Sequence, residues 1–126
     1  MEIKGTTIYI NRGNKLLFNY QIINGDEPYE FVENDKIRFS IYNKKGLNQE
    51  ALVQKEFDTV VGEDNVDIEL TSEEMKIGEM ANKEKEYWYE ITLNEETVLG
   101  YDEEGAKILI LYPEGKDNDD NTEDSE

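Results

Sequence analysis

Apolar and polar residues alternate with a period of two along most of the chain. The alternation is clearest in four runs, at positions 16–23, 36–41, 65–70 and 86–93. Successive side chains of a β-strand point to opposite faces, so each run has one apolar face and one polar face. Strands with one buried and one solvated face are typical of antiparallel sheets. The pattern therefore predicts an all-β protein built from antiparallel strands.

Weaker runs and turn signals complete the predicted fold. The number of short strands rises to seven or eight with runs at positions 6–10, 51–57, 97–101 and 106–112. We expect a hairpin between the last two runs, because the DEEG segment between them is polar and ends in glycine. Thr71 and Glu74 have the spacing of a capping box and predict one short helical turn ending near Gly78. The whole pattern predicts an antiparallel β-sandwich of seven to eight strands.

Charge changes this picture at the C-terminus. The chain has 126 residues and a formal net charge of −18. Residues 113–126 contain seven acidic residues and one lysine, but no Val, Ile, Leu, Phe, Tyr or Trp. High charge without apolar residues is typical of disordered segments. We therefore predict a β-sandwich domain at 1–112 and a disordered acidic tail at 113–126.

Composition also excludes several classes of function. The chain has no cysteine and no histidine, so it lacks a thiol nucleophile, an imidazole base and the usual zinc ligands. We predict that it is not an enzyme and has no cofactor and no specific metal site. The negative charge opposes direct binding to nucleic acid or to an anionic membrane. No apolar run approaches the roughly 20 residues of a membrane span, and no signal peptide is visible, which predicts synthesis in a cytoplasm.

A few apolar residues fall where a solvated face is expected. Trp88 lies on the face opposite Tyr87 and Tyr89, and the ILILY run at 108–112 is apolar on both faces. Such residues either pack under another part of the chain or meet a second protein. The candidate residues for a protein interface are Trp88, Leu109, Leu111, Tyr9 and Tyr42.

Four segments together resemble a known family. They are IYINRGN at 8–14, ENDKIRFSI at 33–41, VDIELTSE at 66–73 and YWYEITL at 87–93. In this order they are similar to small immunoglobulin-like proteins encoded among the virion genes of phages of Gram-positive bacteria. The nearest named relative is the N-terminal domain of upper baseplate proteins. Asn34 stands where that pattern usually has glycine, and Asn14 where it usually has aspartate.

The resemblance implies a non-enzymatic structural or accessory protein of the virion, made in the host cytoplasm. Its partner would be another virion protein of the head, tail or baseplate, and several copies could assemble together. The acidic tail replaces the fibre-like continuation of the baseplate proteins, which favours a stand-alone decoration protein. The family contributes no catalytic residues.

Two other functions stay open. The first is an acidic mimic of nucleic acid that inhibits a host defence nuclease, in the manner of an anti-CRISPR protein. It would use carboxylates aligned on one surface, and the outward positions predicted for them are Asp67, Glu69, Glu86, Glu90 and Glu95. The second is a carbohydrate-binding module with Trp88, Tyr9 and Tyr42 as stacking residues.

Overall fold

The chain folds into β-strands throughout its described part. The computed structural model describes residues 1–43, 50–78, 83–99 and 107–113. Within these ranges the chain forms eleven strands and no α-helix. In chain order they are β1 (Glu2–Lys4), β2 (Thr7–Asn11), β3 (Leu16–Gln21), β4 (Ile23–Asn24), β5 (Glu27–Pro28), β6 (Lys36–Tyr42), β7 (Ala51–Asp58), β8 (Asn65–Leu70), β9 (Lys85–Leu93), β10 (Glu96–Leu99) and β11 (Lys107–Tyr112). The predicted all-β class is confirmed. A search of the same ranges for a helix able to cross a membrane found none.

Seven of these strands form one large sheet. Its order is β1-β2-β11-β9-β6-β7, and β10 also pairs with β9. Strands β3 and β8 form a second sheet, and β4 and β5 form a short hairpin. Every described pair is antiparallel except β2 and β11, which run parallel. The expectation of purely antiparallel strands is therefore wrong at this pair, where the first and last parts of the fold meet. Parallel neighbours need a long connection, and here the rest of the domain supplies it.

The two sheets enclose one hydrophobic core in a sandwich-like arrangement. The rings of Phe18 on β3 and Phe39 on β6 meet edge to face across the layers, with centroids 6.0 Å apart. The alternation predicted for β6 is confirmed, since Ile37, Phe39 and Ile41 are all 0% exposed. The same holds for β8, where Ile68 is 0% exposed. Period-two patterning thus assigned the inner face of both sheets correctly.

The segment after β8 forms the predicted capping contacts without forming a helix. The Glu74 N–H donates to the Thr71 hydroxyl at 3.1 Å, and the Thr71 N–H donates to a Glu74 carboxylate oxygen at 2.8 Å. The Met75 N–H donates to the Thr71 carbonyl at 3.0 Å, which closes a single turn. Met75 is buried, so packing on the core holds this turn in place.

The predicted hairpin between β10 and β11 is wrong. Strands β9 and β10 form a hairpin instead, joined by Asn94 and Glu95 with φ angles of 52° and 73°. Two positive φ angles in a two-residue loop match the right-handed twist of the paired strands. Strands β10 and β11 then follow the same edge of β9, both antiparallel to it. Residues 102–105 and 114–126, which include the expected loop and nearly all of the expected tail, lie outside the described residues.

Candidate interaction surface

Three of the five predicted interface residues lie on one outer face of the seven-stranded sheet. Trp88 on β9 is directly opposite Tyr42 on β6. Tyr9 on β2 lies further across the sheet, beyond β11. All three side chains are half-buried. They point away from the core because their strand neighbours, such as Tyr89, point into it.

The other two predicted interface residues lie on the inner face. Leu109 and Leu111 are only 0% and 4% exposed, so the structure corrects their expected place on the surface. Leu109 aligns with Ile8, which is also a core residue. The physical reason is the alternation of β11. Its outward positions belong to Ile108, Ile110 and Tyr112.

Six large side chains form a continuous row on this outer face. We call it the outer row; it consists of Tyr9, Tyr42, Trp88, Ile108, Ile110 and Tyr112. Trp88 is opposite Ile108 across β9 and β11, and Ile110 is opposite Tyr9 across β11 and β2. The rings of Tyr9 and Tyr112 stack with centroids 6.4 Å apart. Among the described residues, none of the six belongs to the core or packs against it. The row therefore crosses four strands as an apolar surface separate from the core.

Polar groups beside the outer row are held in place by hydrogen bonds. The Tyr42 hydroxyl donates to Glu90 Oε1 at 3.0 Å, and the Thr97 hydroxyl donates to Glu90 Oε2. Burial is the main cause that raises the pKa of Tyr42; the bond to Glu90 adds to it, while Ser40 and the charge of Arg38 act in the opposite direction. At the other end, Lys4 Nζ lies 5.6 Å from the centroid of the Tyr9 ring, in reach of a cation–π contact. The row thus has a fixed polar border.

The same face carries a small polar cleft. Its volume is about 210 Å³, and it is lined by Lys36, Arg38, Glu56, Thr92, Asn94 and Glu95. Arg38 on β6 is directly opposite Thr92 on β9. Thr92 is four positions along β9 from Trp88, which corresponds to about 13 Å in a strand. The cleft and the outer row are therefore neighbours on one surface.

Two polar atoms in the cleft have no hydrogen-bond partner. They are Arg38 Nε and Thr92 Oγ1, and both atoms are buried. Thr92 as a whole is only 4% exposed. Buried polar groups are satisfied in the large majority of cases. These two buried groups are therefore exceptions, and each could still donate a hydrogen bond to an acceptor placed in the cleft.

One rim of the cleft is fixed by a buried carboxylate. The Asn94 side-chain amide donates to Asp35 Oδ1 at 2.8 Å, and the Lys36 N–H donates to Asn94 Oδ1 at 2.9 Å. Burial acts to raise the pKa of Asp35, but hydrogen bonds from the Val32 N–H, Asn94 and Tyr29 hold the pKa below its usual value. A charged Asp35 therefore ties the start of β6 to the β9–β10 turn.

The outward acidic residues divide between the two sheets. Asp67 and Glu69 lie on β8 in the second sheet, whereas Glu86 and Glu90 lie on β9 in the large sheet. Glu69 also pairs with Lys15 at 3.0 Å. The carboxylates expected for a mimic of nucleic acid are therefore not aligned along one surface.

The outer face combines apolar side chains with hydrogen-bonding groups. Within the described ranges, no three acidic side chains converge on a site that could hold a metal ion. The chain has no cysteine or histidine to act as nucleophile or base. The face instead offers aromatic rings, aliphatic side chains and a cleft with unused hydrogen-bonding groups.

Sequence reasoning did not find the β11 residues or the cleft. The outward β11 residues could have been found from Tyr112, because it lies two and four positions after Ile110 and Ile108 and so points to the same face. Arg38 and Thr92 have outward parity on their strands, but only the pairing of β6 with β9 brings them together. That pairing is non-local and has no mark in the sequence.

Comparison with protein-family models, curated proteins and solved structures gave no match.

Proposed function

We propose that this chain is a non-enzymatic, immunoglobulin-like module that binds another protein through its outer row. The partner is a virion component of a phage, of the head, tail or baseplate. The observation that carries the proposal is the continuous row of six large side chains outside the core. A row of this size on a sheet, bordered by polar groups, has the character of a protein interface, where aromatic residues are enriched.

The position of the outer row on a single sheet supports this function. The outer row is borne by four adjacent strands of one sheet, so its side chains are positioned before binding. A preorganised surface loses less conformational entropy on association than a loop does. The acidic residues around the row, such as Glu86 and Glu90, then contribute orientation and salt sensitivity.

Two turn positions within the segments that carry the resemblance have positive φ angles. Asn34 stands where the family pattern has glycine, and its φ is 73°. Asparagine is one of the few other residues that adopt this left-handed conformation readily. Gly13, in the turn after β2, has φ of 86°. Both positions therefore have the left-handed conformation that is common in tight turns.

The proposal is tested by particle association. The tagged chain and its variants are produced during phage growth in the bacterium that carries the gene, and particles are isolated on a density gradient. Wild type is expected to co-migrate with particles. Trp88→Lys and Ile108→Lys are expected to reduce association at least tenfold, because each places a charge in the buried centre of the interface. The matched control is Leu17→Lys, since Leu17 is 43% exposed and lies on the second sheet.

Each outcome has one meaning, provided that every variant shows a cooperative melt. If wild type does not associate with particles, the virion assignment is overturned. If Trp88→Lys and Ile108→Lys associate as well as Leu17→Lys, the outer row is not the interface. Absence from particles together with salt-sensitive inhibition of a nuclease would support the acidic mimic instead.

One observation favours a second candidate function, carbohydrate binding. The structure brings all three stacking residues of that hypothesis, Trp88, Tyr42 and Tyr9, to one flat face. Glu90 and Gln54 lie on the same face as polar partners for sugar hydroxyls. Titration of the purified domain with soluble cell-wall oligosaccharides, followed by Trp88 fluorescence, tests this function. A saturable change that Tyr42→Ala removes would support it, and an unchanged spectrum would exclude those sugars.

A further inference from the structure

The two arginines of this chain have contrasting surroundings. Arg12 Nε donates to the Ile77 carbonyl at 3.0 Å, and its Nη2 reaches the carbonyls of Lys76 and Gly78. Arg38 makes no hydrogen bond and no ion pair with any described residue, and its Nε is buried. Arg12 therefore has a structural role, whereas the buried Nε–H of Arg38 has no acceptor.

Nearby acids do not neutralise Arg38. Glu56 is directly opposite it on β7, and Glu95 lies on the rim of the same cleft. Neither carboxylate is within ion-pair distance of Arg38 in the described structure.

The second unsatisfied group points to the same place. The Thr92 hydroxyl is buried without a partner, and Thr92 faces Arg38 across the β6–β9 pair. Directly opposed positions in an antiparallel pair have Cβ atoms about 5 Å apart. One bound group with two oxygen atoms can therefore accept hydrogen bonds from both residues.

We propose that the cleft binds a carboxylate, supplied by an aspartate or glutamate side chain of the protein that docks on the outer row. This inference rests on the proposed function and names the chemistry of the partner. A carboxylate matches the planar guanidinium fork and provides two acceptor oxygens. Glu56 and Glu95 line the same cleft and would repel a doubly charged phosphate more strongly than a singly charged carboxylate.

The position of the cleft gives the partner a recognisable pattern. The partner presents an acidic residue about 13 Å from the apolar side chains that cover Trp88. In an extended segment this distance corresponds to about four residues. The carboxylate then fixes the orientation of the partner, and the outer row supplies the buried area.

Nuclear magnetic resonance of the full chain tests the cleft directly. The two arginine Nε–H signals are followed during titration with N-acetylglutamate and, separately, with N-acetylglutamine, at constant ionic strength; both are used as their α-methylamides, so that the glutamate side chain is the only carboxylate present. N-acetylglutamate is expected to shift the Arg38 signal saturably, with an affinity at least about tenfold above that of N-acetylglutamine. The Arg12 signal is expected to stay in place, because its Nε–H already has an acceptor.

Variants of the cleft sharpen the test. In Arg38→Lys and Arg38→Gln, the Thr92 methyl signal is expected to stop responding to N-acetylglutamate. Lysine does not replace arginine here because it lacks the planar guanidinium group that binds both carboxylate oxygens. Glu56→Gln is expected to strengthen binding about twofold or more, because it removes a competing negative charge. A role of Arg38 in folding alone would produce neither effect. An equal response to N-acetylglutamine, or no shift at Arg38, overturns the proposal.

Particle association separates this inference from the proposed function. Arg38→Gln is expected to lower association at least tenfold relative to wild type. If Arg38→Gln associates normally while Trp88→Lys does not, the carboxylate site is overturned and the outer row stands. If wild type fails to associate but N-acetylglutamate shifts the Arg38 signal, the carboxylate site stands and the virion assignment falls.

Discussion

Asp35 offers the sharpest test of how this domain is stabilised. Its carboxylate accepts from the Tyr29 hydroxyl at 2.8 Å, the Val32 N–H at 2.9 Å and the Asn94 amide at 2.8 Å. The side chain is buried, with 5% of the residue exposed. Asp35→Ala removes all three bonds, so that the bonds between Lys36 and Asn94 are left to hold the start of β6 to the β9–β10 turn.

The expected loss follows from the bond count. A hydrogen bond to a charged group contributes about 1.5–3 kcal/mol, but Tyr29 and Asn94 reach water once the carboxylate is removed, which reduces their share. We expect Asp35→Ala to lower the free energy of unfolding by about 2–4 kcal/mol. Glu33→Ala, an exposed carboxylate in the same loop, is expected to change it by no more than about 0.5 kcal/mol.

The pH dependence has a definite sign. The pKa of Asp35 is lowered in the folded state, so the charged form stabilises the fold above the unfolded pKa of about 3.9. This contribution is lost as the pH falls from that value through the folded pKa. The difference in stability between wild type and the isosteric Asp35→Asn should therefore be full at neutral pH and shrink below about pH 4.

Urea unfolding monitored by fluorescence of Trp88, the single tryptophan of the chain, measures these differences. The curves are recorded at neutral pH and at several acidic values. If Asp35→Ala loses no more stability than Glu33→Ala, the hydrogen-bond network does not hold the loop to the turn. A stability gap to Asp35→Asn that widens in acid would contradict the assigned direction of the pKa shift.

Two further predictions concern packing. Leu109→Ala should lower the free energy of unfolding by about 2–5 kcal/mol, because Leu109 is fully buried. Ile110→Ala on the outer face should lower it by about 1 kcal/mol or less. Equal losses for the two variants in urea unfolding would show that the inward and outward positions of β11 are assigned wrongly. Gly78→Ala should lower the melting temperature measured by circular dichroism, because Gly78 has φ of 65° and an added Cβ would clash with the Tyr87 hydroxyl oxygen. The double variant with Tyr87→Phe should recover part of the loss, and the absence of any recovery would exclude that clash as the cause.

Local patterning predicted the strands that have one polar face. In β6 and β8 every second residue is apolar, so only one orientation buries the apolar set, and the structure has that orientation. The capping contacts of Thr71 and Glu74 were also predictable, because they join residues three positions apart. The short helical turn expected from them is present only as a single hydrogen-bonded turn without an α-helix, and packing of Met75 on the core holds that turn in place.

The alternation of apolar and polar residues did not predict which face is buried where both faces of a strand are apolar. The ILILY run is apolar at every position, so alternation cannot distinguish Leu109 from Ile110, and only pairing with β2 and β9 decides which side is buried. The β9–β10 hairpin was missed because glutamate rarely adopts the positive φ that Glu95 has in this turn.

The sequence by itself determined the all-β class, the inner face of the alternating strands, the absence of thiol and imidazole chemistry, and the outward position of Trp88. These properties depend on composition or on residues close together in the chain. Tertiary structure alone decided the parallel pairing of β2 with β11, the outer row and the cleft of Arg38 and Thr92. Each of these depends on contacts between distant segments, and period-two alternation specifies which way a side chain points without specifying which strand lies beside it.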